Sequence, residues 1–535
     1  MALAATGWLL SLTLAWRSGF SMEYWETLTH FFVLCLALPA AGLRIPRGIL
    51  IAVSLVTVLV LARPSAMLAH TLDILPAAIV FLAYCSVGML MKSQALVRQC
   101  FLAALGVGLV LNVFCALVQW QLWHNDFTAW VPTVGRHAGR STGLVGQPNK
   151  LAFFLILALV VMQVFWSRAQ SLWHGRRLIA WNAMLIGLYA STIMAIATTQ
   201  SRMAWACSFL CAAAWVWQRR GRPVWLTVLL ALLPAFIFGA DYLRGAWIEP
   251  QTWTTAHSRL VSNEHPRLSL WTHVLQMIAQ KPWLGWGWAE TRYAQFESLV
   301  ALPHSGVFNH THNIFLELAL SFGIPIAVLA LLGLGWVMWR ASPWKEKDEL
   351  ASMAWLALLC LLVYSMLEFP LWSLRFVAIA GILVGLVCRQ AAATPAGAKP
   401  SPSVPFFSSS SGRVLLTALL WSISLLAMRD YQWASRAFGS SALWRIGPEG
   451  SLPHVMAAQQ TVLFGANTGF AAVASPARKH LSDPQIVHFG EQALHFAPEP
   501  LVLKPLIEAH LRLGHNERAE HLLARARNQF PDQMK

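Results

Sequence analysis

Residues 99–121, QCFLAALGVGLVLNVFCALVQWQ, contain no Asp, Glu, Lys or Arg. As a helix rising about 1.5 Å per residue, such a run crosses the ~30 Å hydrocarbon core of a bilayer. Working outward from it, apolar stretches recur at 2–16, 24–41, 47–62, 70–91, 148–167, 177–198, 202–218, 223–239, 311–339, 350–367, 370–388 and 413–428. The sequence therefore predicts an all-α polytopic membrane protein with about 12–13 transmembrane helices. Composition agrees, with 57% hydrophobic residues, 12% charged residues and 27 tryptophans, a balance no soluble domain of this size tolerates. The first stretch reads as a signal-anchor or as the apolar part of a signal peptide, although no small-residue cleavage pattern stands near Arg17 and Ser18.

Basic residues orient the spans. With a cytoplasmic N-terminus, alternate short loops hold Arg44 and Arg47; Lys92 and Arg98; Arg168, Arg176 and Arg177; Arg219, Arg220 and Arg222; Arg340, Lys345 and Lys347; and Arg389, Lys399 and Arg413. All of these fall on one side, as positive-inside bias requires. The net charge of +16 is thus an orientation signal, and nucleic acid is not expected as a partner.

The opposite face receives three larger polar segments, 122–147, 240–310 and everything after 428. Residues 1–428 form the expected membrane domain, with 122–147 and 240–310 as its outward loops, and 429–535 a C-terminal region. Cys35, Cys85, Cys100, Cys115, Cys207, Cys211, Cys360 and Cys388 all lie within or beside spans, so neither a disulfide framework nor a thiolate metal site is expected. Residues 391–411, rich in Ala, Pro and Ser, read as a flexible connection. Residues 491–531 resemble one tetratricopeptide-like helical hairpin, with Leu506, Leu513 and Gly514 before its turn and Ala519, Leu522, Leu523 and Ala526 after it. A single such unit cannot bury its apolar face alone, so it is expected to pack on helices from 450–490 or on the membrane domain.

Polar chemistry gathers at four places. Gly135 to Asn149 (GRHAGRSTGLVGQPN) sets Arg136, His137, Arg140, Gln147 and Asn149 among glycines, where donors can meet phosphate or sugar oxygens; a charged loop capping a helix is the plainer alternative. Arg202 follows Thr198-Thr199-Gln200-Ser201 between two outward helix ends. Arg259, His265 and Arg267 precede an amphipathic helix marked by Trp271, Val274, Leu275 and Ile278, expected near the membrane interface and ended by Pro282 and its glycines. Last, Asn309-His310-Thr311-His312-Asn313 leads into the span at 311–339, and His312 is expected in its first turn, where the positive helix end favours a neutral base. His310 and His312 are two apart, point different ways on a helix, and lack the i,i+4 zinc spacing. No metal and no cofactor are expected.

Taken with Arg267 and Trp271, the pieces Ser141-Thr142-Gly143-Leu144-Val145-Gly146-Gln147-Pro148-Asn149, Ser201-Arg202 and His312-Asn313 resemble the O-antigen ligase and protein O-oligosaccharyltransferase superfamily, and within it the O-linked protein glycosylation ligases. The family's ligase pattern, a His, a small amide or hydroxyl residue, then nine positions before Gly, is met by His312, Asn313 and Gly323; three positions later, where Gly, Thr or Tyr is favoured, this chain has Ile326.

The resemblance implies en bloc transfer of an oligosaccharide from undecaprenyl diphosphate to a periplasmic acceptor by a multi-pass enzyme of the bacterial inner membrane. On that reading Arg202 and Arg267 hold the diphosphate and His312 is the base. Arg136, His137, Arg140, Gln147, Asn149, Arg259, His310, Asn313 and Glu368 are further substrate-binding candidates, with Glu368 orienting an arginine or capping a helix. The expected partners are the lipid-linked oligosaccharide, membrane lipids, and an acceptor that is a Ser or Thr hydroxyl of a protein such as pilin. Lipid A-core is the alternative acceptor; a glycan polymerase and a transporter are the remaining readings.

Overall fold

The computed structural model describes residues 44–120, 140–217, 224–247, 266–298, 307–388, 403–405, 410–438 and 452–534. The expected spans 2–16 and 24–41 lie outside them. A three-residue strand, β1 (Arg44–Pro46), precedes α1 (Arg47–Ala62), the short α2 (Leu68–Leu72), α3 (Ile74–Ser93) and α4 (Ala95–Trp120). Then come α5 (Pro148–Leu172), α6 (Gly175–Thr199), α7 (Arg202–Trp217), α8 (Val224–Ala231) and α9 (Leu233–Trp247). The outward segment contributes α10 (Pro266–Gln280) and α11 (Thr291–Glu297).

Next are α12 (Ile314–Phe322), α13 (Ile324–Ala341), α14 (Glu349–Ser365) and α15 (Leu374–Val387). A second strand, β2 (Ser403–Pro405), pairs antiparallel with β1. The long α16 (Ser410–Ala437) leads to α17 (Leu452–Ala458), α18 (Gly465–Ala474), α19 (Asp483–Phe496), α20 (Pro500–Arg512) and α21 (Asn516–Gln529).

By length and hydropathy, Leu68–Ser93, Ala95–Trp120, Gly175–Thr199 and Ile324–Lys345 qualify as membrane spans among the described residues. A fifth is formed if α8 and the start of α9, bent by 52° against each other, count as one. Arg47–Ala62, Pro148–Val164, Glu349–Ser365 and Leu374–Val387 are apolar but shorter. The chain is thus helical with several helices able to cross a membrane.

One expected span is corrected. Residues 311–339 are not a single helix, because the chain breaks at Gly323, whose φ of +91° no continuing helix admits. The expected loop 240–310 likewise begins inside α9 and carries two helices of its own.

The core is built from α3 to α9 with α14 and α15. Its closest approach joins α3 to α15: a Cβ on Gly385 would stand 2.0 Å from the Cys85 carbonyl oxygen, so only glycine lets these backbones meet. Phe153 of α5 stacks on Tyr364 of α14 and meets Phe376 of α15 edge-on, at ring-centroid distances of 5.1 and 5.5 Å. The described cysteines are all unpaired.

The ends of these helices sort into two groups. Lys92, Arg98, Arg176, Arg177, Arg340, Lys345 and Lys347 stand at or beside one set of helix ends, and Lys92 there donates to the Cys388 carbonyl at 3.0 Å, tying the ends of α3 and α15. The start of α5, the end of α6, the start of α7 and the end of α14 belong to the opposite set.

Beyond α16 the tail forms its own core, in which Leu506, Leu522 and Ala526 are fully buried and Ala519 nearly so. The expected hairpin is α20 and α21, turning at Gly514; Glu491, its anticipated start, lies inside α19, so a third helix packs with the pair. This core continues onto the outward segment. Arg525 and His521 of α21 lie 3.5 and 3.4 Å from Glu297 of α11, and His495 of α19 lies 2.7 Å from Glu290 just before it.

Candidate active site

The polar residues of the second set of helix ends converge on Glu368. The carboxylate follows α14 and is 5% exposed. One oxygen pairs with the guanidinium of Arg267, from the first turn of α10, and also accepts from Asn149 Nδ2 at 2.8 Å. The other meets His312 Nδ1 at 3.1 Å. Burial opposes the charge on Glu368, but its contacts with His312 and Arg267 outweigh that cost and hold the carboxyl below its ordinary value of 4.5.

Asn149, in the first turn of α5, extends the network. Its Oδ1 accepts from Ser201 Oγ at 2.9 Å and from Arg140 Nη2 at 3.1 Å, while Arg140 Nε donates to the Thr199 carbonyl at 2.9 Å. The expected glycan-binding loop is therefore, in these two residues, a brace between α5, α6 and Glu368. Ser201 sits directly before Arg202, the first residue of α7, so the brace also anchors the start of that helix. Gln147 has a buried Oε1 with no hydrogen-bond partner among the described residues. Arg136, His137 and Arg259 lie outside the described residues.

His312 departs from its expected position. It precedes the helix rather than occupying its first turn: Asn313 is the N-cap of α12, its Oδ1 accepting from the amides of Phe315 and Leu316 at 3.0 and 3.2 Å. His312 itself has φ +54°, a left-handed conformation rare for a residue with a side chain. That turn also overrules the expectation that His310 and His312 diverge, since neither is helical and their ring centroids are 4.2 Å apart. The two histidines, Glu368, Phe369 and Trp372 line one small cleft.

His310 is 6% exposed, rests against the Phe369 ring, and its Nε2 has no hydrogen-bond partner among the described residues. Burial first, then the neighbouring His312, Arg292 and Lys150, push its pKa well below 6.5 and keep the ring neutral. The ligating atoms of His310, His312 and Glu368 lie within 4.8 Å of one another, a grouping that i,i+4 spacing did not foretell. Against a metal reading, Arg267 already supplies a positive charge to Glu368, and Asn149 takes part of the same oxygen.

The amphipathic helix is α10, but its apolar face is covered by protein. Leu270, Val274, Met277 and Ile278 are buried against α12, while Leu275 is 55% exposed. Trp271 Nε1 donates to the Thr311 carbonyl at 3.0 Å, so the helix carrying Arg267 also grips the histidine loop. The tryptophan segment that follows runs along the end of α12: the amides of Trp286, Gly287 and Ile324 bond the carbonyls of Leu320, Ser321 and Pro282 at 2.7, 3.0 and 2.8 Å. Trp288 stacks between Phe322 and Trp372. A Cβ on Gly323 would stand 2.2 Å from the Trp283 carbonyl oxygen, which gives the glycine eleven residues after His312 its physical reason.

Sequence reasoning passed over Lys150, 8% exposed in the first turn of α5, and Glu317, 3% exposed in α12. The first carried a readable signal, since a lysine at a helix N-terminus opposes the helix dipole and needs a local reason. Glu317 carried none, being one acid in an otherwise apolar run.

The fold and site define a polytopic helical membrane protein with a buried carboxylate joining a histidine and an arginine at one set of helix ends. A family model described as O-antigen ligase matches residues 183–332, which contain Arg202, Arg267 and His312. Another, described as virulence factor membrane-bound polymerase, C-terminal, matches residues 352–535, taking in Glu368 and the whole tail, which the motif resemblance hardly reached.

The chain is 26% identical over 333 residues to the General O-oligosaccharyltransferase of Acinetobacter baylyi, covering 60% of this chain and 54% of the relative. It is 25% identical over 260 residues to the ComP-specific O-oligosaccharyltransferase of the same organism, covering 47% and 44%. The chain thus matches about half the length of these curated relatives. In these stretches it is similar to the O-antigen ligase and protein O-oligosaccharyltransferase superfamily.

Proposed function

We propose that this protein transfers a preassembled oligosaccharide from undecaprenyl diphosphate to a Ser or Thr hydroxyl of a periplasmic protein such as pilin, by a metal-independent inverting displacement. The observation that supports the reading is Glu368, which holds Arg267 and His312 on its two carboxylate oxygens. With Nδ1 engaged by Glu368, His312 keeps Nε2 for the acceptor hydroxyl, the usual division of labour for an oriented catalytic imidazole.

The acceptor oxygen attacks the anomeric carbon as the bond from that carbon to the diphosphate oxygen breaks, and the hydroxyl proton passes to His312 Nε2. Undecaprenyl diphosphate leaves with the bonding electron pair. Arg267 and Arg202 meet its developing charge, the task for which a planar guanidinium is suited. A sugar diphosphate already carries a stable anionic leaving group, so no cofactor is required. The working face is the periplasmic one, opposite the basic loops.

The experiment is reconstitution in proteoliposomes with an undecaprenyl-diphosphate glycan and competing pilin-like protein and lipid A-core acceptors, with and without EDTA. Transfer to a protein hydroxyl, unaffected by EDTA, is expected. Exclusive labelling of lipid A-core would make the protein an O-antigen ligase, and a lengthened lipid-linked glycan would make it a polymerase, the activity named by the family model at 352–535. Solute uptake without glycan transfer would point to a transporter.

A further inference from the structure

Glu317 touches neither Glu368 nor the arginines of the proposed site, yet it is 3% exposed and its two oxygens are both used. Oε2 accepts from the amide of Thr311 at 2.8 Å, and Oε1 from Thr291 Oγ1 at 3.0 Å. The Thr311 hydroxyl in turn donates to the Asn313 carbonyl at 2.8 Å, bridging over His312. Asn313 Nδ2 reaches toward the Met366 carbonyl at 3.4 Å, two residues before Glu368. The backbone on both sides of His312 is thus pinned, and the residue between the pins is the left-handed one.

Left-handed backbone at a residue with a side chain is strained and persists only where its surroundings over-determine it. Of the bonds that do so, the one at Thr311 comes from a carboxyl group buried without a salt-bridge partner among the described residues. Burial raises the pKa of Glu317, opposed by its hydrogen bonds from Thr311 and Thr291. A glutamine would offer the same acceptor to Thr311 and a donor to Thr291.

Thr291 adds a second link. It opens α11, whose Gln295 exchanges hydrogen bonds with the backbone of Phe308, two residues before His310. The same helix is held by Gln529 of α21 through the Gln295 carbonyl and by Arg525 through Glu297. Glu317 therefore stands where the histidine loop meets the helix on which the C-terminal helices dock.

We propose that Glu317 is a positioning residue for His312, holding it in the left-handed turn that presents its ring to Glu368 and tying that turn, through Thr291, to the C-terminal helices. The proposal rests on His312 acting as the base.

The test uses the full chain in proteoliposomes, with the undecaprenyl-diphosphate glycan as donor and whichever acceptor the wild-type protein labels. Glu317→Ala is expected to lower kcat about 10- to 100-fold, the scale of an ångström-level misplacement of a catalytic group. KM for the donor should stay within about twofold, because the diphosphate contacts are untouched. Glu317→Gln should recover most of the loss, and Thr291→Val, which removes one bond, should fall between the two. Combined with His312→Ala, Glu317→Ala should cost no further activity, since residues acting through one group do not add.

A Glu317→Ala enzyme with wild-type kcat per folded molecule would overturn the assignment, as would a Glu317→Gln enzyme as impaired as the alanine variant, which would assign the carboxylate a chemical role. If the alanine variant fails to fold, the glutamine and valine variants decide by the same measures. Full activity in His312→Ala would instead reject the base reading itself, whatever the Glu317 variants do.

Discussion

At the scale of single residues the account turns on Glu368. Removing a carboxylate so deeply set leaves Arg267, three-quarters buried, without its partner. Breaking a buried pair in this way costs on the order of 3 kcal/mol. Glu368→Ala should therefore lower the melting temperature in detergent and abolish turnover, whereas the isosteric Glu368→Gln should keep the fold and lose about 100-fold in kcat, a typical weight for an oriented acid–base pair. Equal kcat in Glu368→Gln and wild type would remove the carboxylate from the mechanism.

Acid sensitivity belongs to other groups. The folded pKa of Glu368 is depressed, so its contribution is complete above 4.5 and is lost only as pH falls through the lower folded value. His310 acts in the same direction but at higher pH: its folded pKa is lowered, so below about 6.5 the unfolded chain binds a proton that the folded loop refuses, and stability falls with pH. Melting temperatures between pH 8 and 5 should decline less steeply for His310→Asn than for wild type; parallel curves would show that the histidine is not held neutral.

At the scale of elements, α12 and the tryptophan segment explain why the motif has its spacing. Asn313 caps the helix, nine residues complete it, and Gly323 turns the chain where Trp283 crosses. Gly323→Ala meets both a positive φ and a backbone oxygen, so it should destabilise by several kcal/mol, read as lost membrane abundance and early thermal unfolding. Wild-type stability in that variant would contradict the packing described.

His312, Asn313 and Gly323 were legible only as the spacing of the family's ligase pattern; the cap and the turn that give that spacing a physical reason came from the structure. The break in the span 311–339 was not, since Gly323 and Pro325 sit in a run whose hydropathy continues unbroken, and proline in a first helical turn is no breaker. Nor was the burial of α10: the same apolar spacing serves lipid or protein, and only the facing residues of α12 decide between them. Convergence of Asn149 and Ser201 on Glu368 depends on contacts between positions 52 and 219 residues apart, which no local pattern encodes.

At the scale of the whole molecule, basic loops at one set of helix ends and the polar site at the other were foretold by charge alone, because the bias that sets topology acts on short loops irrespective of their structure. The prediction is directional. In a cysteine-free background, Trp283→Cys and Leu501→Cys, both at exposed positions, should react with an impermeant maleimide on intact spheroplasts, whereas Gln94→Cys, between α3 and α4, should react only after permeabilisation. The opposite pattern would invert the molecule.

The central claim is that the site around Glu368 moves an oligosaccharide with His312 as its base. It is tested most directly by single-turnover transfer of a labelled undecaprenyl-diphosphate glycan, comparing purified wild type with His312→Ala at equal folded amounts and measured donor binding. The account predicts transfer by wild type and a loss of at least about 100-fold in the variant, with donor affinity retained. Transfer at the wild-type rate by His312→Ala would contradict it.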